Sequence, residues 1–276
     1  MYTKKTWYLL RTVEVEKTYQ WRYGAPGMPR SAKKKATPED IERQNQWVAE
    51  KKLRRTINLN FKGDDLHLIL TYRKDNRPEK EQQPKILKDF LKDMRRDYRK
   101  AGCQFKYILA TEYGSRGAVH HHLIINNITQ DGISTTRLVT KNWKYGRPMW
   151  VPLDDTGEYK DLAEYIIKDT SKSFRMEGNP FKQRYTCSRN LEKPVPVVEK
   201  MSASRWRDEP KITPKMENDG WWLDYDSIVT GFNRVTGYPY QYYTLRRICD
   251  MTSYQRRKYE IFKKTGHWPS SIAEFG

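Results

Sequence analysis

Three consecutive histidines, His120, His121 and His122, interrupt an apolar run and are the first residues in the chain whose spacing suggests chemistry. The whole chain contains only five histidines. Side chains alternate between the two faces of a β-strand, so His120 and His122 share one face while His121 lies on the other. Two imidazoles roughly 7 Å apart at Cα can converge on one ion. The segment therefore predicts two ligands of a metal site.

A carboxylate precedes these histidines at a distance that suits a hairpin. The apolar segments 104–114 and 118–127 are joined by only a few residues, which predicts an antiparallel pair. With the turn centred near Arg116, Glu112 lies opposite His120 on the same face. One carboxylate and two imidazoles predict Mn²⁺ or Mg²⁺, which would polarise a phosphate oxygen. Zn²⁺ in a hydrolase is the alternative.

A candidate nucleophile follows on a predicted helix over residues 157–172. Tyr165, Lys168 and Lys172 recur at i, i+3 and i+7 and share one helix face. A phenol has an ordinary pKa of about 10, and a lysine one turn away together with a metal-bound phosphate would favour the phenolate. That is the form that attacks a phosphodiester. Tyr159 lies about 120° away around the helix and is the weaker alternative.

The charge of the chain indicates a polyanionic partner. Lys and Arg number 53 against 34 Asp and Glu, a net charge of +19. Nucleic acid is the favoured polyanion, because an aromatic content of 13% also offers stacking surfaces for bases. No stretch approaches the roughly 20 apolar residues of a spanning helix, which argues against a membrane partner. Widely separated cysteines and an N-terminus without a signal-like apolar core predict a cytoplasmic protein.

Alternating strand-like and helix-like segments predict an α+β fold. Residues 66–73 (LHLILTYR) read as a core strand, and residues 86–98 as an amphipathic helix. We expect a sheet of antiparallel neighbours with helices on one face. Residues 5–15 predict one further strand, and the Tyr-rich segment 221–249 predicts short strands broken by glycine.

Taken together, these motifs resemble the HUH endonucleases, and among them the rolling-circle replication initiators of phages and plasmids. TEYGSRGAVHHHLII resembles the second motif of the family, named for its His–hydrophobe–His pattern. LHLILTYR resembles the first motif, an apolar strand that ends in Thr-Tyr. AEYIIKDTSK resembles the third motif, Tyr-x-x-Lys on a helix. All three occur in the family's order between residues 66 and 172.

The resemblance implies a fold, a metal and a reaction. The fold is a central antiparallel sheet of about five strands with flanking helices, like the ferredoxin and RNA-recognition folds. Glu112, His120 and His122 hold the metal, and Tyr165 attacks single-stranded DNA or an extruded origin hairpin. Tyr165 then stays on the 5′ phosphate and frees a 3′ hydroxyl. The implied partners are that DNA and the host helicase and polymerase, in the cytoplasm of a bacterial host cell.

Two positions depart from the family pattern. The middle position of the histidine motif, usually a hydrophobe, is His121. Asp169 stands where some phage initiators carry a second tyrosine, so the chain resembles a single-tyrosine enzyme. The alternatives are a plasmid relaxase, a single-tyrosine transposase, and a non-catalytic nucleic-acid-binding protein on an RNA-recognition-like sheet.

Two further residues are predicted to contact DNA, and the chain is predicted to have two parts. Arg73 at the end of the first-motif strand and Lys172 should both lie near the active face. Residues 1–190 form the predicted endonuclease domain. Residues 191–276 form a smaller, aromatic-rich C-terminal extension that is a candidate for DNA contact. A Walker-type phosphate loop is missing from the sequence, which argues against a helicase activity.

Overall fold

The computed structural model of the chain describes residues 2–19, 37–114, 117–130, 132–232 and 238–271, apart from the side chains of Thr129 and Lys172. The strands in these ranges are β1 (Tyr2–Tyr8), β2 (Thr12–Tyr19), β3 (Leu66–Thr71), β4 (Tyr107–Tyr113), β5 (Val119–Ile125), β6 (Thr129–Gln130), β7 (Ile133–Ser134), β8 (Met149–Pro152), β9 (Thr186–Cys187), β10 (Val197–Met201), β11 (Trp221–Phe232) and β12 (Pro239–Arg247). The α-helices are α1 (Pro38–Asn60), α2 (Gln83–Lys100), α3 (Thr135–Asn142), α4 (Lys160–Ser173), α5 (Pro214–Asn218) and α6 (Ser253–Thr265). The predicted α+β class is confirmed. Within the described ranges, none of the helices is both long and apolar enough for a membrane span.

The chain forms two compact units. The first unit comprises Met1–Thr37, Thr156–Glu158 and Pro194–Gly276, and the second comprises Pro38–Asp155 and Tyr159–Lys193. The sequence-based division instead assigned residues 1–190 to one domain. The difference arises because β1 pairs with β10 and β2 with β12. These pairings join distant segments of the chain, and a local hydrophobic pattern does not encode them.

The first unit is built on an antiparallel sheet with the order β10-β1-β2-β12-β11. The single strand predicted at 5–15 is a hairpin, in which the Leu9 amide donates to the Thr12 carbonyl at 2.9 Å. The segment predicted to form short Tyr-rich strands forms two long ones, β11 and β12, with a register shift between Asp224 and Val229. Trp222 and Tyr243 are buried in this unit, so both serve as core residues.

The second unit contains an antiparallel sheet with the order β8-β3-β5-β4-β9. Helices cover both of its faces, which corrects the expectation of helices on one face. α1 and α4 pack on one side, and α2 and α3 on the other. The reason is that β4 and β5 are apolar on both faces: Ile108 and Ile124 point to the first side, Leu109 and Leu123 to the second, and all four are buried.

The hairpin of β4 and β5 has the predicted register. Glu112 lies opposite His120, and Ala110 lies opposite His122. Gly114 closes the strand pair by donating its amide to the Ala118 carbonyl at 2.8 Å. The predicted turn centre, Arg116, lies outside the described residues. This register places Glu112, His120 and His122 on the face that α1 and α4 cover.

Candidate active site

Glu112, His120 and His122 form a cluster on the α4 face of the second sheet. Nδ1 of His120 is 3.7 Å from Oε2 of Glu112, and Nε2 of His122 is 3.4 Å from the same oxygen. One ligand atom from each residue lies within 4.8 Å of the other two. The side chain of His120 is 39% exposed whereas that of His122 is fully buried. The donor set therefore fits a divalent cation that is open to substrate on the His120 side.

Burial sets the protonation of this cluster. It lowers the pKa of His122 to about 4, and the nearby His120 adds to the effect. His122 is thus neutral at physiological pH, the form in which an imidazole binds metal. Burial raises the pKa of Glu112, the negative charge of Asp169 raises it further, and His120 opposes both.

His67, which the sequence analysis did not single out, is a fourth histidine at this site. β3 pairs with β5 so that His67 lies opposite Ile124, on the face that carries His122. Nε2 of His67 is 3.3 Å from Nδ1 of His122, and the two rings stack with centroids 5.5 Å apart. Its place within the first-motif strand was the available signal, but the pairing of β3 with β5 was needed to interpret it.

The two nitrogens of His122 thus face different partners. Nδ1 faces His67 and Nε2 faces Glu112. Burial lowers the pKa of His67 to about 4, with His122 adding to the shift, so His67 is a neutral acceptor. A proton on Nδ1 of His122, assigned from this geometry, would be donated to His67. That tautomer leaves the lone pair of Nε2 directed at the cluster.

Tyr165 lies beside the cluster on α4. Its ring centroid is 5.6 Å from that of His122 and 6.3 Å from that of His67. α4 buries Ala163, Ile166 and Ile167 against the sheet and α1. Tyr165 remains 44% exposed, which leaves its hydroxyl accessible to a substrate.

The charge next to the phenol differs from the expected one. Burial raises the pKa of Tyr165 to about 12, and a hydrogen bond to Asp169 and the charges of Asp169 and Glu112 add to the shift. Lys168 is exposed, and within the described residues it makes no hydrogen bond or ion pair. The predicted stabilisation of a phenolate by Lys168 therefore has no contact to support it, and the neighbour of the hydroxyl is a carboxylate.

The other predicted residues occupy varied positions. Arg73 is exposed two residues beyond the end of β3, where Thr71 lies opposite His120. The side chain of Lys172 lies outside the described part of the chain. Tyr159 is 3% exposed and its hydroxyl donates to the Asp154 carbonyl at 2.9 Å, so it is a core residue.

His121 lies on the opposite face from the cluster, as the strand alternation predicts. It is completely buried. Its Nδ1 is 2.9 Å from the Thr111 hydroxyl and its Nε2 is 2.9 Å from the Tyr72 hydroxyl. Burial lowers the pKa of His121 to about 3, with the neighbouring histidines adding to the shift. His121 is therefore a neutral core residue with both ring nitrogens paired.

Comparison with known proteins relates the site to one family. Residues 65–174 match the family described as replication-associated protein ORF2/gene 2 protein. The match spans 110 of the 276 residues, and it includes the cluster, His67 and Tyr165. It supports a replication-initiator type of protein. No curated protein and no solved structure gave a significant match.

Proposed function

We propose that the chain is a metal-dependent, single-tyrosine DNA-nicking and joining enzyme that initiates rolling-circle replication. The observation that carries the proposal is the exposed Tyr165 beside a Glu112–His120–His122 cluster. The net charge of +19 suits a DNA substrate, and the family match over the same residues supports a role in replication.

The cluster would serve to activate the scissile phosphate. Mn²⁺ or Mg²⁺ held by Glu112, His120 and His122 would supply Lewis-acid polarisation of a phosphate oxygen. Burial of His122 and its contact with His67 hold one ligand in place before substrate arrives. The partial exposure of His120 leaves the approach to the phosphate open.

Tyr165 is the proposed nucleophile, and Asp169 is the proposed acceptor of its proton. The Tyr165 oxygen attacks phosphorus, the bond from phosphorus to the 3′ oxygen breaks, and the phenolic proton passes to Asp169. The leaving 3′ oxygen takes up a proton to become a hydroxyl. The product is a 5′-phosphotyrosine, and attack by a 3′ hydroxyl in the reverse direction rejoins the strand. An accepting carboxylate is needed because the pKa of Tyr165 lies at about 12.

Formation of a covalent adduct tests the proposal. Labelled single-stranded origin DNA is incubated with the protein and Mn²⁺ and run on a denaturing gel. A labelled band at the mass of the protein is the expected result. If no single-stranded DNA gives an adduct with any divalent metal while DNA binding persists, the chain is a nucleic-acid-binding protein instead.

We expect Asp169→Asn to slow nicking by about 10²-fold or more at neutral pH, the usual contribution of a positioned general base. Loss of the carboxylate also lowers the pKa of Tyr165, since Asp169 is one of the groups that raise it. The rate of the variant should therefore recover as pH rises. Single-turnover nicking across a pH series measures both effects. Asp161→Asn, which alters an exposed carboxylate in the first turn of α4, is the control. An Asp169→Asn variant as fast as the wild type at neutral pH would show that Asp169 does not take the proton.

We expect His67→Ala to weaken Mn²⁺ binding by about 10- to 100-fold, the usual effect of removing the partner of a metal-bound histidine. The physical reason is that His122 would lose the acceptor for its Nδ1 proton and could rotate. Calorimetric titration with Mn²⁺ measures the change without DNA. His67→Asn, which retains a hydrogen-bonding side chain, should restore part of the affinity. The matched control is His267→Ala, at an exposed histidine of the first unit. Unchanged Mn²⁺ affinity in His67→Ala would assign His67 a packing role only.

A further inference from the structure

A groove of about 960 Å³ lies in the second unit, away from the candidate active site. Its walls are the C-terminal half of α2, the beginning of β4 and the residues that follow β9. Tyr107, in its wall, packs with the core on the α2 side. Glu112 lies five positions further along β4 and so points to the other face. The groove and the cluster therefore occupy opposite faces of one sheet.

Three arginines, Arg95, Arg99 and Arg189, line this arginine groove, and none of its lining residues is a carboxylate. In the part of the chain that the structure describes, none of the three forms an ion pair. Arg96 on the same helix differs, because it pairs with Asp93 and Asp97. The groove therefore concentrates positive charge that protein carboxylates do not neutralise.

Parts of the arginine groove are held in place by internal contacts. Nη2 of Arg95 donates to the Tyr107 hydroxyl at 2.9 Å, and the guanidinium lies over the Tyr107 ring. Nδ2 of Asn190 donates to the Phe105 carbonyl at 3.2 Å, which ties the segment after β9 to the beginning of β4. A guanidinium held in this way offers a preformed fork of donors for phosphate oxygens.

The aromatic residues of the groove indicate which part of a nucleic acid it fits. Phe105 and Tyr107 are 5% and 7% exposed, so their faces are too buried for a base to stack on them. The exposed groups are arginines and amides. This favours contact with the sugar–phosphate backbone over recognition of bases.

We infer that the arginine groove binds the phosphate backbone of single-stranded DNA, at a segment away from the scissile phosphate. The inference depends on the proposed function only for the identity of the nucleic acid. Contacts to phosphates without base contacts would hold the strand independently of its sequence, as an initiator needs for DNA flanking its nick site.

The test is the affinity for labelled single-stranded DNA, measured by fluorescence anisotropy without divalent metal. For Arg95→Ala/Arg99→Ala/Arg189→Ala, we expect the Kd to rise on the order of tenfold or more. The slope of log K against log salt should become shallower by about 0.7 for each phosphate that the variant no longer binds. Arg99→Ala/Arg189→Ala, which spares the Arg95–Tyr107 hydrogen bond, should show an intermediate effect. Circular dichroism verifies folding.

The control removes the same charge from the same helix outside the groove. Lys85, Lys88 and Lys92 are exposed on α2 and do not line the arginine groove. If Lys85→Ala/Lys88→Ala/Lys92→Ala weakens binding as much as the arginine variant, only total charge matters and the inference is wrong. Unchanged Kd and salt slope in the arginine variant would also overturn it.

The test is separable from that of the proposed function. The arginine variant should still form the adduct with a short oligonucleotide confined to the nick site, at saturating DNA. If the wild type forms no adduct but the arginine variant binds DNA more weakly than the lysine variant, the arginine groove stands and the nicking proposal fails. An adduct in the wild type with equal DNA binding in both variants gives the reverse conclusion.

Discussion

Tyr165→Phe should abolish the covalent protein–DNA adduct and leave binding of single-stranded DNA in place. The substitution removes the one oxygen that the proposed mechanism joins to phosphorus, and it retains the ring that packs near His67 and His122. The hydrogen bond to Asp169 is the expected structural loss. A bond of this kind contributes about 1 kcal/mol, or somewhat more with a charged acceptor, so the variant should fold.

The adduct is detected on a denaturing gel, and DNA binding by anisotropy. Tyr159→Phe is the matched control at the start of the same helix, since Tyr159 is buried and bonded to the Asp154 carbonyl. It should retain the adduct with some loss of stability. An adduct that persists in Tyr165→Phe and disappears in Tyr159→Phe would move the nucleophile to Tyr159.

His120→Ala should eliminate both Mn²⁺ binding and nicking. The variant removes one of the three ligands, and two donors from Glu112 and His122 would be left to hold the ion. His120 is the informative choice because its side chain is 39% exposed, so its loss should leave the fold intact. His122→Ala should give the same loss of metal, but His122 is buried, and its variant needs a parallel measurement of stability. Calorimetry with Mn²⁺ and the adduct gel provide the readouts.

His121→Val is the matched control for the histidine strand. It should retain Mn²⁺ binding and nicking, because His121 faces away from the cluster. It should also lower the free energy of unfolding, since the Thr111 and Tyr72 hydroxyls each lose a buried partner. Each unpaired group costs about 1–3 kcal/mol, which denaturant unfolding can measure. A folded His121→Val protein that failed to bind Mn²⁺ would contradict the assignment of faces.

Local patterns predicted the centre of the candidate site. The short link between β4 and β5 makes their pairing a nearest-neighbour event, and strand alternation then places Glu112 with His120 and His122. Both arguments need only a few consecutive residues. The same alternation separates His121 from the cluster, although its polar partners, Thr111 and Tyr72, could not be identified from the pattern alone.

Contacts around Tyr165 needed the packed helix. The sequence places Lys168 and Asp169 at i+3 and i+4 from Tyr165, and helical geometry brings both near it. Which of the two reaches the hydroxyl depends on how α4 rotates to bury Ala163, Ile166 and Ile167. In the packed unit it is Asp169, and Lys168 is exposed to solvent.

By itself, the sequence determined the α+β class, the β4–β5 register and the division of the three histidines, because each depends on neighbours within one hairpin or one strand. The tertiary structure alone decided that His67 lies against His122, 55 residues further along the chain. It also decided that β1 pairs with β10 and β2 with β12 rather than with the strands of the second unit. Strand pairing between distant segments is selected by the burial of whole faces, and this selection has no signature in a short stretch of sequence.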